Sequence, residues 1–565
     1  MRQKTKNNKY IFFFLLSISI LIYNGSTIAF SLSFKSIVDC LTEKNFNDYY
    51  GKILLAILIV MVQIVSFNIY SRLKNRYTKI VMLNLKENLY KKIFSFKIPY
   101  FYKSDLSKYI SFIFNDLNRY EENSVITKIE IIEKIILFIF AAIGIILVYP
   151  ILLLFIIAAL IIAVIVPALL SKKAKRYSEN LSRNHEKSMN KITEVLNGFK
   201  VIKSFKIIEM ATEECFDVTK DLENTKYDLR NYMTLVQCFL MFLTTILTLL
   251  VFIFGGWLVI DNVLTVGSLI ALIQLLFNIV SPVMDIMTSV NKIKSVEDIQ
   301  NTYSKIIEYN NSDSETLINK EGFNECIEFK NVSFKYPSNQ KYAVKDFDFT
   351  FNKNKNYAII GGNGSGKSTI LKLISNYFNE YEGDILFDNY NIKDLKEDFI
   401  YDNLAYINQD LFLFNKSIRD NITLNKNYDD NKYNELVNGL KISEFSQKHA
   451  SGMEFNLNDL DSVSGGEKQR IVIAREILKN TSILLADEPD SALDLHSVSF
   501  FIDTVLNLDD VTCIMITHKI NGKLSNFDEI LVMDQGQLIE HGSYEELISK
   551  EGYFYNKWFC KSKVS

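Results

Sequence analysis

The sequence predicts an α-helical transmembrane domain of six helices followed by an α/β P-loop NTPase domain. Three observations carry that expectation. Long uncharged apolar runs crowd into the first half of the 565 residues. A glycine-rich stretch at 361–369 separates an apolar strand from a helical pattern. A second apolar run, Ile483-Leu484-Leu485-Ala486, ends in the carboxylates of Asp487 and Glu488.

Six charge-free runs mark the spans: Ile11–Phe34, Ile53–Ser71, Ile135–Val148, Ile151–Ser171, Asn231–Ile260 and Asn262–Met284. About 20 apolar residues cross the hydrocarbon core as a helix. The third run is only about 21 Å long at 1.5 Å per residue, so its helix is expected to extend back through Glu130, Glu133 and Lys134. Charges at the bilayer centre are costly, so these three are expected near the cytosolic end or facing a wet cavity, and read as surface charges at the membrane boundary rather than as a substrate site. A basic start before an apolar run also resembles a signal peptide. This run is longer than a usual signal core and no small-residue cleavage site follows, so it is expected to stay as the first span.

Lysine and arginine set the orientation. The first ten residues carry four of them, and segments 72–130 and 172–230 carry 12 and 13. The loop 35–52 carries three, and the turns at Tyr149-Pro150 and Asp261 carry none. The positive-inside rule then puts both termini in the cytosol of a multi-pass protein of the plasma membrane. Apolar residues recur at 3–4 spacing in both long inside segments, as in helices continuing the spans. Pro99 and Asn197-Gly198 interrupt that pattern.

Residues 309–315 are polar and aperiodic, as in a linker. The expected organisation is a membrane domain at 1–301, a linker at 302–325 and a nucleotide-binding domain at 326–565. The six cysteines are scattered with no CxxC, which suggests neither a disulfide framework nor a metal site. A net charge of −2 gives no reason to expect a nucleic-acid partner.

The P-loop is Gly361, Gly362, Asn363, Gly364, Ser365, Gly366, Lys367, Ser368 and Thr369. Its glycines let backbone N–H groups curl around a triphosphate at the positive end of a new helix. Lys367 is expected on the β and γ phosphates and Ser368 on Mg²⁺. Asp487, closing an apolar strand beside a P-loop, is the expected second Mg²⁺ ligand, and Glu488 is placed to polarise a water. Without a P-loop in the same domain, the two carboxylates would read equally well as an exposed acidic turn. Ser464-Gly465-Gly466-Glu467 opens another helix and offers a second anion site. Two such helix starts suit a sandwich of two subunits, each turn facing the other's P-loop.

The order of these motifs resembles the ATP-binding cassette family, and six spans followed by one cassette resemble an ABC exporter half-transporter. That resemblance implies an α-helical subdomain within the cassette, ATP and Mg²⁺ as ligands, and the lipid bilayer and a second half-transporter as partners. It implies roles residue by residue. Tyr336 would stack on adenine. Gln409 would contact Mg²⁺, along with Ser368 and Asp487. Ser464, Gly465, Gly466 and Glu467 would form the signature motif. Glu488 would be the catalytic base, Asp494 would lie in the D-loop Ser491-Ala492-Leu493-Asp494, and His518 would sense the γ phosphate beside Lys367. In the membrane half, Gly255-Gly256-Trp257-Leu258-Val259, Leu264–Leu269 and Ser281-Pro282 resemble the fifth and sixth exporter helices. The stretches 102–108 and 203–210 sit where the family has coupling helices.

Some features depart from the pattern. The signature begins with Val463 rather than Leu and ends in Glu467 rather than Gln, which puts a negative charge near bound phosphate unless the carboxylate points away. Residues 456–461 lack the usual Gly-Glu-Arg-Gly, and the short N-terminus leaves little room for an interfacial helix or a built-in peptidase. The expected activity is ATP-driven efflux by alternating access in a dimer. An intact Glu488 and His518 favour a homodimer and leave a heterodimer with a degenerate partner open. The neutral polar residues Asn24, Thr27, Gln63, Gln237, Gln274 and Asn278 permit a drug, lipid or peptide substrate, or simply bond across helices. An ATP-gated channel or an importer on the same scaffold are the rival readings.

Overall fold

The computed structural model describes residues 2–44, 46–102, 105–309, 317–336, 341–457, 463–489, 495–517 and 524–559. It divides into two compact units, Met1–Lys92 with Ser107–Glu308, and Ile93–Leu106 with Tyr309–Ser565.

The first unit is helical. Its long members are α1 (Arg2–Thr42), α2 (Phe46–Ile93), then, beyond the short α3 (Ile98–Phe101), α4 (Leu106–Val148, with π turns at Phe112–Asp116 and Glu121–Ile126). After these come α5 (Pro150–Asn197), α6 (Phe199–Phe205), α7 (Ile208–Ile260), α8 (Val266–Lys294) and α9 (Glu297–Glu308). Among the described residues, α1, α2, α4, α7 and α8 are long and apolar enough to cross a membrane. The remaining expected span, Ile151–Ser171, lies within α5, where many side chains are outside the described set. At 48 residues, α2 and α5 each run for about 72 Å, so both reach far beyond a bilayer of about 30 Å.

Local chemistry explains the joints. Tyr149 is extended and Pro150 takes the first position of α5, where its missing N–H is no loss. Thr265 caps α8, its Oγ1 accepting from the Ser268 N–H at 3.1 Å. The Gly267 N–H donates to Asp39 Oδ1 at 3.0 Å, tying the start of α8 to α1. A side chain at Gly267 would put its Cβ 2.3 Å from the Lys35 carbonyl, so only glycine permits that approach. Helices α1, α4 and α8 pack together, and α5 pairs with α7. Ile28, Ile145, Ile156, Val251 and Leu275 represent their shared core. The span of α2 stays largely bare within the chain, with Leu54, Leu58, Met61 and Val65 exposed. As expected, α4 runs back through Glu130, Glu133 and Lys134. Glu133, however, is buried, with only 6% of its surface accessible, and is not a surface charge.

The second unit holds the sheets. Strands β1 (Cys326–Phe334), β2 (Val344–Asn352), β4 (Glu382–Phe387) and β5 (Tyr390–Asn391) form an antiparallel sheet in the order β2-β1-β4-β5. The second sheet contains β3 (Asn356–Gly361), β6 (Leu404–Ile407), β7 (Ile483–Asp487), β8 (Thr512–Ile516), β9 (Glu529–Asp534) and β10 (Gln537–Gly542). Its order is β10-β9-β3-β8-β7-β6, parallel except for β10. Nearly every side chain of β3, β7 and β8 is buried, as in a parallel sheet covered on both faces. The P-loop leads from β3 into α10 (Lys367–Ile374). Helices α11 (Glu397–Asn403), α12 (Ile418–Thr423), α13 (Asp430–Gly439), α14 (Ile442–Ser446) and α15 (Gly465–Leu478) follow. Helices α12 to α15 pack on one another and form the helical subdomain. Residues 93–106 belong to this unit: Pro99 opens α3, and Phe96 and Tyr100 pack their rings on Tyr309, at 5.1 and 3.7 Å between centroids.

Candidate nucleotide-binding site

Strand register brings the site together. Ile359 of β3 and Asp487 of β7 both pair with Ile516 of β8. The three strands therefore end level, and the loops leaving them share one edge, where open α/β sheets bind their ligands. A cleft of about 1080 Å³ opens there, lined by the P-loop from Asn363 to Thr369 and by Tyr336, Gln409 and Glu488.

The P-loop is held by close backbone approaches. Gly366 has φ +98°, and a Cβ there would lie 2.4 Å from the Ala343 carbonyl. Lys367 Nζ donates to the carbonyls of Gly361 (3.1 Å) and Gly362 (2.9 Å), which keeps the ammonium inside the loop. Burial pulls the Lys367 pKa down, opposed by the nearby charges of Glu488 and Asp487. Ser368 Oγ donates to Asp487 Oδ1 at 3.1 Å. Asp487 is buried, and desolvation pushes its carboxyl above the ordinary range, with the Ser368 bond opposing and the Glu488 charge adding. The Ser365 hydroxyl is buried without a hydrogen-bond partner. A loop with an unanswered hydroxyl, an enclosed ammonium and a carboxylate short of positive charge fits a phosphate with a divalent cation. Among the described residues no group of three His, Cys, Asp or Glu could cage a metal.

Glu488 follows β7 with φ +50°, a left-handed conformation uncommon outside glycine and Asn/Asp. Its N–H donates to the Ile516 carbonyl at 3.1 Å, tying it to the end of β8. Tyr336 turns its hydroxyl to Thr369 Oγ1 (3.2 Å), and its ring meets Phe334 and Phe378 edge-on.

The Ser464 turn is elsewhere: Ser464 to Glu467 do not line the cleft. Ser464 caps α15 in a capping box with Glu467. Glu467 Oε2 accepts from both the Ser464 N–H and its hydroxyl, each at 2.8 Å, and the Glu467 N–H donates to Ser464 Oγ. The carboxylate therefore does not point away from the signature serine. Asp494, with its D-loop, and His518 lie outside the described residues.

Some residues at the site carry no motif. Tyr342, with Lys335 Nζ 3.9 Å above its ring, and Lys345 line the cleft mouth. Gln469, buried on α15, donates from Nε2 to the Pro489 carbonyl at 2.7 Å and the Glu488 carbonyl at 3.4 Å. In the sequence Gln469 stands between Lys468 and Arg470, so nothing local set it apart from a solvated polar residue.

The family profile described as the ABC transporter transmembrane region matches residues 13–283, and the ABC transporter profile matches residues 344–491. The chain belongs to the ABC transporters. It is 28% identical over 373 residues to a putative multidrug export ATP-binding/permease protein, YgaD of Bacillus subtilis, covering 64% of this transporter and 63% of that protein. It is 35% identical over 236 residues to an ATP-dependent lipid A-core flippase of Haemophilus influenzae, 40% of each chain. The transporter spans less than two thirds of these relatives' lengths. Its fold is that of a bacterial Atm1-family ABC exporter solved with ATP bound, with TM-score 0.84, 21% identity and 97% of both chains covered. Apolar helices and family together make this a multi-pass membrane protein.

Proposed function

We propose that the chain is one half of a dimeric, ATP-driven exporter in the plasma membrane, with both termini in the cytosol. The observation that carries this is the division of the phosphate-binding groups. Lys367, Ser368, Asp487 and Glu488 meet at one sheet edge, while the Ser464 helix start stays out of that cleft. A second subunit supplying its own Ser464 turn uses both. The intact Glu488 favours two copies of this chain.

ATP binds with its phosphates on the P-loop amides and Lys367 and its adenine against Tyr336. Ser368, Asp487 and Gln409 would hold Mg²⁺, which would supply charge neutralisation to the triphosphate. Glu488 orients the attacking water and takes its proton, and His518 senses the γ phosphate beside it. Lys367 and the partner subunit's signature turn stabilise the charge that develops. Closing the sandwich turns the helix bundle outward, and hydrolysis resets it.

The relatives' names cover drugs and a lipid, so none is carried over as cargo. Reconstituted protein with Glu488→Gln tests the reading. Uphill accumulation that survives complete loss of hydrolysis sinks the pump. Passive flux gated by ATP alone favours a channel, and inward accumulation in right-side-out vesicles favours an importer.

A further inference from the structure

Four helices of the membrane unit converge on a charged cluster that the nucleotide cycle does not use. Lys134 Nζ on α4 lies 3.5 Å from Glu133 Oε2 and 3.4 Å from Asp285 Oδ2 on α8. One turn away, Glu130 pairs with Lys74 of α2 at 3.3 Å. Asn24 of α1 is fully buried, its Nδ2 donating to the Glu133 carbonyl at 3.0 Å. Tyr70 of α2 shares a small apolar cluster with Ile129 of α4, and its ring is parallel to that of Tyr23.

Burial makes this arrangement costly. Glu133 is buried on a helix long and apolar enough to cross a hydrocarbon core of about 30 Å. Ionisable side chains persist within such helices where they are paired or serve a pathway. Here the pairing is incomplete in two independent ways. Three carboxylates face two ammonium groups, which leaves one negative charge in excess. The Asn24 Oδ1, on the amide that grips Glu133, is buried with no hydrogen-bond donor. One ligand group answers both deficits: a cation that carries N–H donors. The parallel Tyr23 and Tyr70 rings supply the aromatic surface that organic cations favour. Asp285, nearly half exposed, leaves the cluster open on the α8 side.

We propose that Asn24, Glu133, Lys134 and Asp285 form a binding site for the protonated amine of an amphipathic molecule. The Glu133 and Asp285 carboxylates share the ammonium with Lys134, Asn24 Oδ1 accepts one of its N–H groups, and the apolar tail lies along the helices. The proposal rests on the export reading only for the side from which cargo arrives.

The test is binding to the full-length transporter in nanodiscs of phosphatidylcholine and phosphatidylglycerol, without nucleotide. Monodansylcadaverine, a fluorescent primary amine, is compared with its N-acetyl derivative, which keeps the dye and loses the charge. The expected result is about tenfold tighter binding of the amine, with that preference lost in both Glu133→Gln and Asp285→Asn. Asn24→Leu is expected to weaken the amine by about fivefold and leave the acetyl compound unchanged. Each variant's fold is checked by its thermal shift on adding ATP. If Glu133→Gln does not fold, the more exposed Asp285→Asn decides alone. Equal affinity for both dyes, or a preference untouched by Asp285→Asn, overturns the proposal. Added phosphatidylethanolamine separates sources: competition assigns the site to a lipid ammonium, and no competition assigns it to a soluble amine. Because nothing here requires hydrolysis or direction, a failed transport assay sinks the pump reading and leaves this one standing.

Discussion

Replacing Glu467 by glutamine is expected to tighten the ATP-bound dimer. The Glu467 carboxylate accepts two hydrogen bonds from Ser464 at 2.8 Å each. A phosphate oxygen received by the same serine and helix start would sit about one hydrogen bond beyond it, roughly 5 Å from the carboxylate. Two unit charges at that distance repel by about 1–2 kcal/mol at an effective dielectric of roughly 40–80, the range suited to a partly exposed turn. Glutamine removes the charge and keeps an amide oxygen for the capping box, which tolerates either residue. The loss in helix stability should stay near 0.5 kcal/mol, the size of one charge at a helix N-terminus. The ATP concentration for half-maximal turnover is therefore expected to fall about 5- to 30-fold, with a nearly unchanged unfolding midpoint. Raising the ionic strength should narrow the gap between wild type and variant, because screening acts on the charge and not on the cap. Turnover at varied ATP and two salt concentrations checks this. Equal half-maximal concentrations at low salt, or weaker ATP dependence in the variant, would refute it.

Other substitutions separate structure from chemistry. Asp487→Asn should abolish hydrolysis yet raise the unfolding midpoint of the nucleotide-free protein. The folded carboxyl sits above its ordinary value because of burial, so wild-type stability falls as pH rises from 3.8 through that raised value. The variant's advantage should thus appear on going from acid to neutral pH, which thermal melts across pH will report. Lys367→Ala should weaken ATP binding by roughly 100-fold or more, since it removes the ammonium enclosed in the P-loop. Unchanged affinity and turnover would remove the P-loop assignment. Gly366→Ala must carry φ +98° and a Cβ 2.4 Å from the Ala343 carbonyl, so a loss of about 2–3 kcal/mol and of ATP binding is expected by melts and titration. Gln469→Leu should lower kcat about tenfold or more at unchanged ATP affinity, because it frees the backbone that carries Glu488 without touching the P-loop.

What was legible in the sequence is what short segments decide. The P-loop is a local conformation, so its glycines and Lys367 announced it before any fold was known. The place of Asp487 at the end of β7, beside Ser368, was legible because an apolar strand ending in a carboxylate tends to sit beside that loop. The spans were legible from length and charge alone. Glu133 was misread as a surface charge because its burial depends on α1 and α8 closing over α4, contacts more than 100 residues away in sequence. Asn24, Thr27 and Gln63 were left between substrate contacts and cross-helix bonds. Gln63 Nε2 donates to Thr27 Oγ1 at 3.1 Å, so that pair bonds across helices, while Asn24 does so with only one of its two polar atoms. The direction of the Glu467 carboxylate was open for a different reason. The same Ser-x-x-Glu spacing builds a capping box and a signature motif, and only coordinates distinguish a capped serine from a free one.

Helix α15 joins two events that the motifs describe separately. Its first residue follows Ser464, the group proposed to meet the partner's nucleotide, and five residues on from Ser464 it carries Gln469, which grips the Glu488 and Pro489 carbonyls. Gln469 is buried and its helix packs on α12 and β6, so the two ends of this stretch cannot shift independently without breaking buried hydrogen bonds. A signature turn that moves to engage phosphate therefore pulls on the strained residue at the end of β7. The Glu467 carboxylate adds a condition to that movement. It holds the Ser464 hydroxyl and N–H until a phosphate competes for them. Engagement then requires two hydrogen bonds to be exchanged before the partner's site is complete. In the proposed dimer, the Glu488 carboxylate of one subunit is thus linked to the occupancy of the other subunit's cleft through the five residues that separate Ser464 from Gln469.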